Sequence, residues 1–213
     1  MKISLIIIGI LLISCKNKIS HDSEISFEIQ NKILYNNNIL KIKIINRSNN
    51  DYFFCFDTTS IYYDTGLNYK MNEFIHPKPL FDYNGKIIDI GYPLSNMIKP
   101  AHLDTSYYNC IKRNIQYRQV VLEDIRKLKK IIVLKKHANF ILNLPFNNTN
   151  LWCNRYYTYI REKGNFRLQF KYRMSRDYLD EIIDKNLLLE LQQKKIKPYY
   201  KEIVSNKVQF ILR

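Results

Sequence analysis

Gly164-Asn165-Phe166-Arg167-Leu168-Gln169-Phe170-Lys171-Tyr172 is the stretch that decides the fold. Its large apolar residues fall at every second position, and Arg167, Gln169 and Lys171 fill the places between them. A period of two belongs to a β-strand with one face in a core and the other in water. In a helix the same residues would be spread around the whole circumference and could not be buried together.

Working outward from this strand, the segment after it changes period. Ser175 suits a helix N-cap and Asp177 a first turn. Leu179, Ile182, Ile183, Leu187 and Leu191 then recur at helical spacing, which predicts one helix over 176–193. Lys194 and Lys195 suit its C-terminus, and Pro198 ends it. Val208, Phe210 and Leu212 alternate again as a closing strand. Upstream, Ile25, Phe27 and Ile29 form a strand extending towards Leu34. Leu40, Ile42 and Ile44 form its hairpin partner across the Asn36-Asn37-Asn38 turn, with Lys41 and Lys43 facing water. Tyr52–Phe56 is a third strand. Leu80–Tyr83 and Lys86–Ile90 flank Asn84-Gly85, the pair that suits a type I′ turn. Ile131–Leu134 and the alternating Phe140, Leu142 and Leu144 add two more strands, with a turn over 135–139. Ser106–Cys110 reads as a short strand, 115–130 as a helical turn, and Trp152–Ile160 as partly extended. His76-Pro77-Lys78-Pro79 and Pro145–Asn150 read as irregular, because proline lacks the N–H that a ladder needs. Short strands at turn-separated intervals predict a mainly β chain folded as an antiparallel sandwich, a single domain over 25–213.

Three of these segments, Gly164–Tyr172, Ile203–Phe210 and Leu40–Asn46, resemble strands of the immunoglobulin-like β-sandwich domains found in bacterial envelope lipoproteins. The resemblance implies an immunoglobulin-like sandwich, with the helix near the C-terminus inserted where those domains have a short connection. It implies no activity.

The chain opens Met1-Lys2, continues with an apolar run from Ile3 to Ile13, and reaches Leu12-Ile13-Ser14-Cys15. The run is shorter than the ~20 residues a membrane-spanning helix needs and has the length of a signal-peptide core. Leu12–Cys15 resembles the lipobox of bacterial lipoproteins. That resemblance implies a signal peptide over 1–14, lipidation and acylation of Cys15, and a short tether over 15–24. Two or three acyl chains hold a protein stably, where one is marginal. The expected location is the bacterial cell envelope, on a membrane through Cys15. Lys16 after the cysteine favours the outer membrane in a didermal host.

The chain of 213 residues carries a formal net charge of +15, of which Lys2 contributes one. An exported, membrane-held protein meets acidic lipid, glycan or protein rather than nucleic acid, so no nucleic acid is expected as a partner. Scattered lysines in a sequence rich in Lys, Asn and Ile also arise from composition and serve solubility. Two basic clusters are candidates for contact with an anionic surface. One is Arg126, Lys127, Lys129 and Lys130, with Lys135 and Lys136 close behind; the other is Lys194, Lys195 and Lys197, with Lys201. Tyr156, Tyr157 and Tyr159, near Trp152 and Arg155, suit either a glycan contact or the core.

With Cys15 lipidated, Cys55, Cys110 and Cys153 remain, enough for one disulfide. Cys55 lies in an apolar strand, where a buried free thiol is natural, so Cys110 with Cys153 is the preferred pair among three. His21, His76, His102 and His137 read as polar loop histidines. They form no HExxH or other closely spaced ligand set, and no metal or cofactor is expected. Gly is scarce at 5, and neither a GxSxG elbow nor a phosphate-binding GxxxxGK[ST] occurs. A Cys–His pair drawn from Cys110 or Cys153 with His102 or His137 remains open, as does a carboxylate pair from Asp177, Asp180, Glu181 and Asp184. The last four read first as the solvated face of an amphipathic helix. No catalytic residue is assigned. The expectation is a non-enzymatic binding or structural module with a protein or glycan partner; the alternatives are an envelope-polymer hydrolase and an inhibitor or immunity-type protein.

Overall fold

The computed structural model describes residues 23–58, 74–88, 94–97, 108–110, 112–113, 116, 131–152 and 155–213. The signal segment, Cys15, Cys153 and the cluster Arg126, Lys127, Lys129 and Lys130 lie outside the described residues, as does nearly all of 115–130.

The strands are β1 (Ile25–Ile29), β2 (Ile33–Tyr35), β3 (Asn38–Asn46), β4 (Asp51–Cys55), β5 (Lys78–Tyr83), β6 (Lys86–Ile88), β7 (Leu94–Met97), β8 (Ile131–Leu134), β9 (Asn139–Phe146), β10 (Thr149–Trp152), β11 (Arg155–Thr158) and β12 (Gly164–Tyr172). Two helices follow, α1 (Arg176–Ile182) and α2 (Lys185–Gln193), then β13 (Ile196–Pro198), β14 (Ile203–Val204) and β15 (Val208–Leu212). The protein is mainly β, with antiparallel and mixed sheets.

β12 is central, as its pattern required. Phe166, Leu168, Phe170 and Tyr172 are all buried, while Arg167 is exposed. β12 pairs antiparallel with β15 on one side and β5 on the other, within the order β2-β15-β12-β5-β6; β14 adds to one end of β12. A second sheet, β1-β3-β9, is wholly antiparallel. The inward faces of these two sheets meet ring to ring. Phe27 of β1 stacks on Tyr172 of β12 with centroids 6.0 Å apart. Phe146 of β9 packs edge-on against Phe170 at 6.1 Å and against Phe210 of β15 at 5.4 Å. Burying one such side chain contributes roughly 1.5–3 kcal/mol, so this seam dominates the core. Inside it, the Tyr172 hydroxyl donates to the Cys55 and Phe74 carbonyls, and burial pushes its pKa up.

At one end both β3 and β9 turn a corner. β3 continues through 47–50 into β4, and β9 is reached from β8 through 135–138; β4 and β8 pair antiparallel, and β13 joins β4 in parallel. Asn46 pins this corner from inside. Its side-chain N–H groups are shared among the carbonyls of Asn50, Leu134 and Lys135, and its Oδ1 accepts from the Ser48 N–H and hydroxyl. A third sheet side, β10-β11-β7, is a separate antiparallel ladder.

Several expectations need correction. The first hairpin is broken at 30–32. β1 pairs with β3, but Leu34 lies in β2, which crosses to pair in parallel with β15, Leu34 opposite Phe210; its strand partner is the last strand rather than β3. The two proline segments are partly strand: His76-Pro77 and Asn147-Asn148 are irregular as expected, but Lys78-Pro79 opens β5, Pro145-Phe146 closes β9 and Thr149-Asn150 opens β10. Pro79 pairs with Phe170, and Pro145 with Ile39. Both sit at an edge, since β6 covers only Phe81–Tyr83 and β9 ends its sheet, and an edge tolerates a missing N–H. Residues 108–110 are helical rather than extended. The helix over 176–193 is two helices. Ser175 takes the first N-cap position without a side-chain bond, and Asp184 caps the second by accepting from the Asn186 N–H at 2.7 Å. Asp184 has left the helix that carries Asp177 and Asp180, so the expected acidic face is not continuous. His76 lies in a connection, as expected of a loop histidine, but is buried, because it leads from Phe74 and Ile75 of the core into β5. The type I′ turn is present, with Asn84 and Gly85 both at positive φ (51° and 81°).

Candidate functional site

The corner brings together segments far apart in sequence. The 47–50 turn, the 135–138 turn and the C-terminal end of α2 with β13 enclose an open cleft of about 720 Å³. Lys136, Lys194, Lys195 and Lys197 line it against one carboxylate, Asp51; Asn49, Asn50 and Gln192 add amide groups. The strand register explains the convergence. β13 lies parallel to β4 with Ile196 opposite Asp51 and Lys197 opposite Tyr52, and β4 pairs with β8, which runs straight into Lys135 and Lys136.

The charges are unevenly matched. Asp51 is satisfied by Lys135 Nζ at 2.9 Å and by the Lys136 N–H at 2.8 Å. These two bonds, the lysine side chain first, hold its carboxyl below the usual range. Lys194 pairs with Glu190 one helical turn back. Lys197 Nζ donates to the neutral Oδ1 of Asn50 at 2.9 Å. Among the described residues, no ion pair engages Lys136, Lys195 or Lys197. Lys195 is also held at φ 57°, just past the end of α2. This left-handed position normally takes glycine, and a side chain there costs roughly 1 kcal/mol.

Glu24, just ahead of the first described strand, is fastened at the same corner. The Glu24 carbonyl accepts from the Arg47 N–H at 2.7 Å. Its carboxylate accepts from Lys201 Nζ at 2.8 Å and from the Tyr52 hydroxyl at 3.0 Å. The Lys201 bond is the main reason the Glu24 carboxyl sits low, and Glu24 in turn raises Lys201. Tyr52 is the residue opposite Lys197, so Glu24 lies one side chain from the cleft wall.

No protein-family profile, curated protein or solved structure matches this chain. The site therefore rests on its own geometry.

Of the residues singled out by sequence, Lys136 from the first basic region and Lys194, Lys195 and Lys197 from the second are brought to one place; Lys135 supports them through Asp51. Asn49, Asn50, Asp51 and Gln192 were not legible as site residues, since their segment reads only as a polar turn and a helix end. Tyr159 belongs to the core, buried against Phe81 with centroids 6.3 Å apart. Cys110 is disulfide-bonded, which removes it as a nucleophile, and its partner lies outside the described residues. Cys55 is a free, buried thiol, as its apolar strand predicted. Burial pushes its pKa far up, so it is protonated and unreactive in the folded state. Among the described residues no three of His, Cys, Asp and Glu gather as a metal-binding group, and no described helix is long and apolar enough to cross a membrane.

Proposed function

We propose that the chain is a lipid-anchored envelope protein whose immunoglobulin-like sandwich acts as a non-enzymatic binding module at the membrane surface. The observation that carries this reading is the shared position of two features: Glu24, next to the first described strand, is fastened to Lys201 and Tyr52, and the cleft with its unmatched lysines opens at the same corner. A tether leading from Cys15 would hold that corner, rather than the far end, closest to the bilayer.

Strand order supports the immunoglobulin-like assignment. β1-β3-β9 corresponds to A-B-E, and β15-β12-β5-β6 to G-F-C-C′. The departure is the segment from α1 to β14, which occupies the F–G connection and supplies half of the cleft. The cysteines agree with the anchor as well. Cys55 is free and Cys110 is bonded, so a lipid on Cys15 leaves Cys153 as the partner of Cys110. Globomycin is expected to make the unprocessed precursor accumulate, and Cys15→Ser to release the protein from the membrane. Normal processing and anchoring of Cys15→Ser would overturn the anchored reading.

A further inference from the structure

We propose that the lysine-lined cleft binds the phosphate head groups of anionic phospholipids in the membrane that carries the anchor, clamping this end of the sandwich onto the bilayer. The proposal rests on the anchored reading above and adds a site and a ligand class to it.

Three observations favour a phosphate head group. First, the cleft has cationic capacity that the fold does not use. Asp51 is neutralised by Lys135, Lys194 is matched by Glu190, and the ammonium groups of Lys136, Lys195 and Lys197 form no ion pair among the described residues, although Lys136 and Lys197 still act electrostatically on Asp51 and Glu24 respectively. Like charges held around one cleft repel each other unless an anion enters. Second, Lys195 occupies a left-handed position that glycine would take more easily. A strained residue that places a cation at the rim is the kind of outlier from which a binding role is inferred. Third, the distance is right. The chain from Cys15 to Ser23 spans at most ~29 Å when fully extended, and Ser23 precedes the Glu24 that is bonded to Tyr52 beside the cleft. The cleft therefore cannot leave the neighbourhood of the lipid surface. An acidic glycan would meet the same lysines, but it has no reason to be found at the tethered end.

The Asn and Gln groups complete the chemistry. Lysine is a compact point charge suited to a phosphate oxygen, and side-chain amides donate to the remaining oxygens. Each lysine beside an anionic surface contributes roughly fivefold to binding, so the three unmatched lysines together account for roughly a hundredfold.

The test uses the chain from residue 15 onward carrying Cys15→Ser, sedimented with vesicles of phosphatidylcholine alone or with phosphatidylglycerol added. Binding to the anionic vesicles, reversed by salt, is expected. The triple variant Lys136→Ser, Lys195→Gly, Lys197→Ser is expected to weaken it by roughly a hundredfold. A second triple variant, Lys41→Ser, Lys86→Ser, Lys163→Ser, removes the same charge from exposed positions elsewhere and is expected to weaken it far less. Thermal melts establish that both variants are folded. Equal losses from the two triples would overturn the site in favour of diffuse charge. Binding of polygalacturonate through the cleft lysines, with no preference for phosphatidylglycerol, would overturn it in favour of a glycan. The mass of the cell-derived N-terminal peptide reads the anchor separately: an unlipidated Cys15 ends the anchored reading, whereas a lipidated protein indifferent to phosphatidylglycerol ends only the cleft proposal.

Discussion

The aromatic seam and the lysine corner treat polar groups in opposite ways. In the seam, the hydroxyl of Tyr172 is given backbone carbonyls to bond, because a buried polar group without a partner costs more than the bond itself returns. At the corner, Lys136, Lys195 and Lys197 face water without an ion pair among the described residues, which is tolerable because they are solvated. Asp82 shows that the fold does match charges where it needs them. It receives Lys207 Nζ at 3.0 Å and the Gly85 N–H at 2.9 Å, with Arg167 at 3.7 Å, and so fastens the β5–β6 turn to its sheet. The lesson is that the seam holds the molecule together, while the unmatched corner is free to be used for something else.

Four measurements break or sharpen this contrast. The largest effect is expected from Phe170→Ala, which empties the seam where Phe146 packs; urea denaturation should show a loss of about 3–5 kcal/mol. Asn46→Ala comes next. It removes the amide that serves three carbonyls of the corner, and the same assay should show about 1–3 kcal/mol lost. A loss no greater than that of an exposed substitution would mean the corner is held by its strands alone.

Acid should act through the matched carboxylates. Hydrogen bonding from Lys207 holds Asp82 below the ordinary carboxylate range, and Lys201 does the same for Glu24. A carboxyl lowered by folding adds stability in full above its unfolded value, near ~4, and that contribution disappears as pH falls through the folded value. Melting temperature should therefore fall as pH drops below about 4, and less steeply in Asp82→Asn. An equal slope in the variant would show that Asp82 contributes nothing to acid sensitivity. The smallest effect, and the most telling, is Lys195→Gly. Relief of the left-handed strain should raise stability by up to about 1 kcal/mol, while anionic-vesicle binding falls. A gain in stability with no loss of binding would make the residue an ordinary helix terminus.

Legibility followed the range of the interaction. The β12 strand, the Asn84-Gly85 turn, the closing strand and the buried Cys55 were readable because alternation, a two-residue turn and an apolar setting are local properties. Pro79 and Pro145 misled because proline reports a missing donor, and only the sheet order says whether that donor had a partner to lose. The sequence over 176–193 reads as one helix because its apolar spacing carries across the break; the cap at Asp184 competes locally, and the spacing does not register it. For the site, the basic residues were visible as two clusters, but not as one cleft.

By itself, the sequence determined the mainly β character, the inward face of each alternating strand and the opening segment that resembles a lipobox, since each depends on neighbours a few residues apart. The tertiary structure alone decided that β2 crosses to the last strand and that Lys136 meets Lys194, Lys195 and Lys197. It also decided that Glu24 is held close to them. Those relations come from parallel pairings of β13 with β4 and β15 with β2. Such pairings join distant segments whose side-chain pattern is the same whichever strand lies alongside.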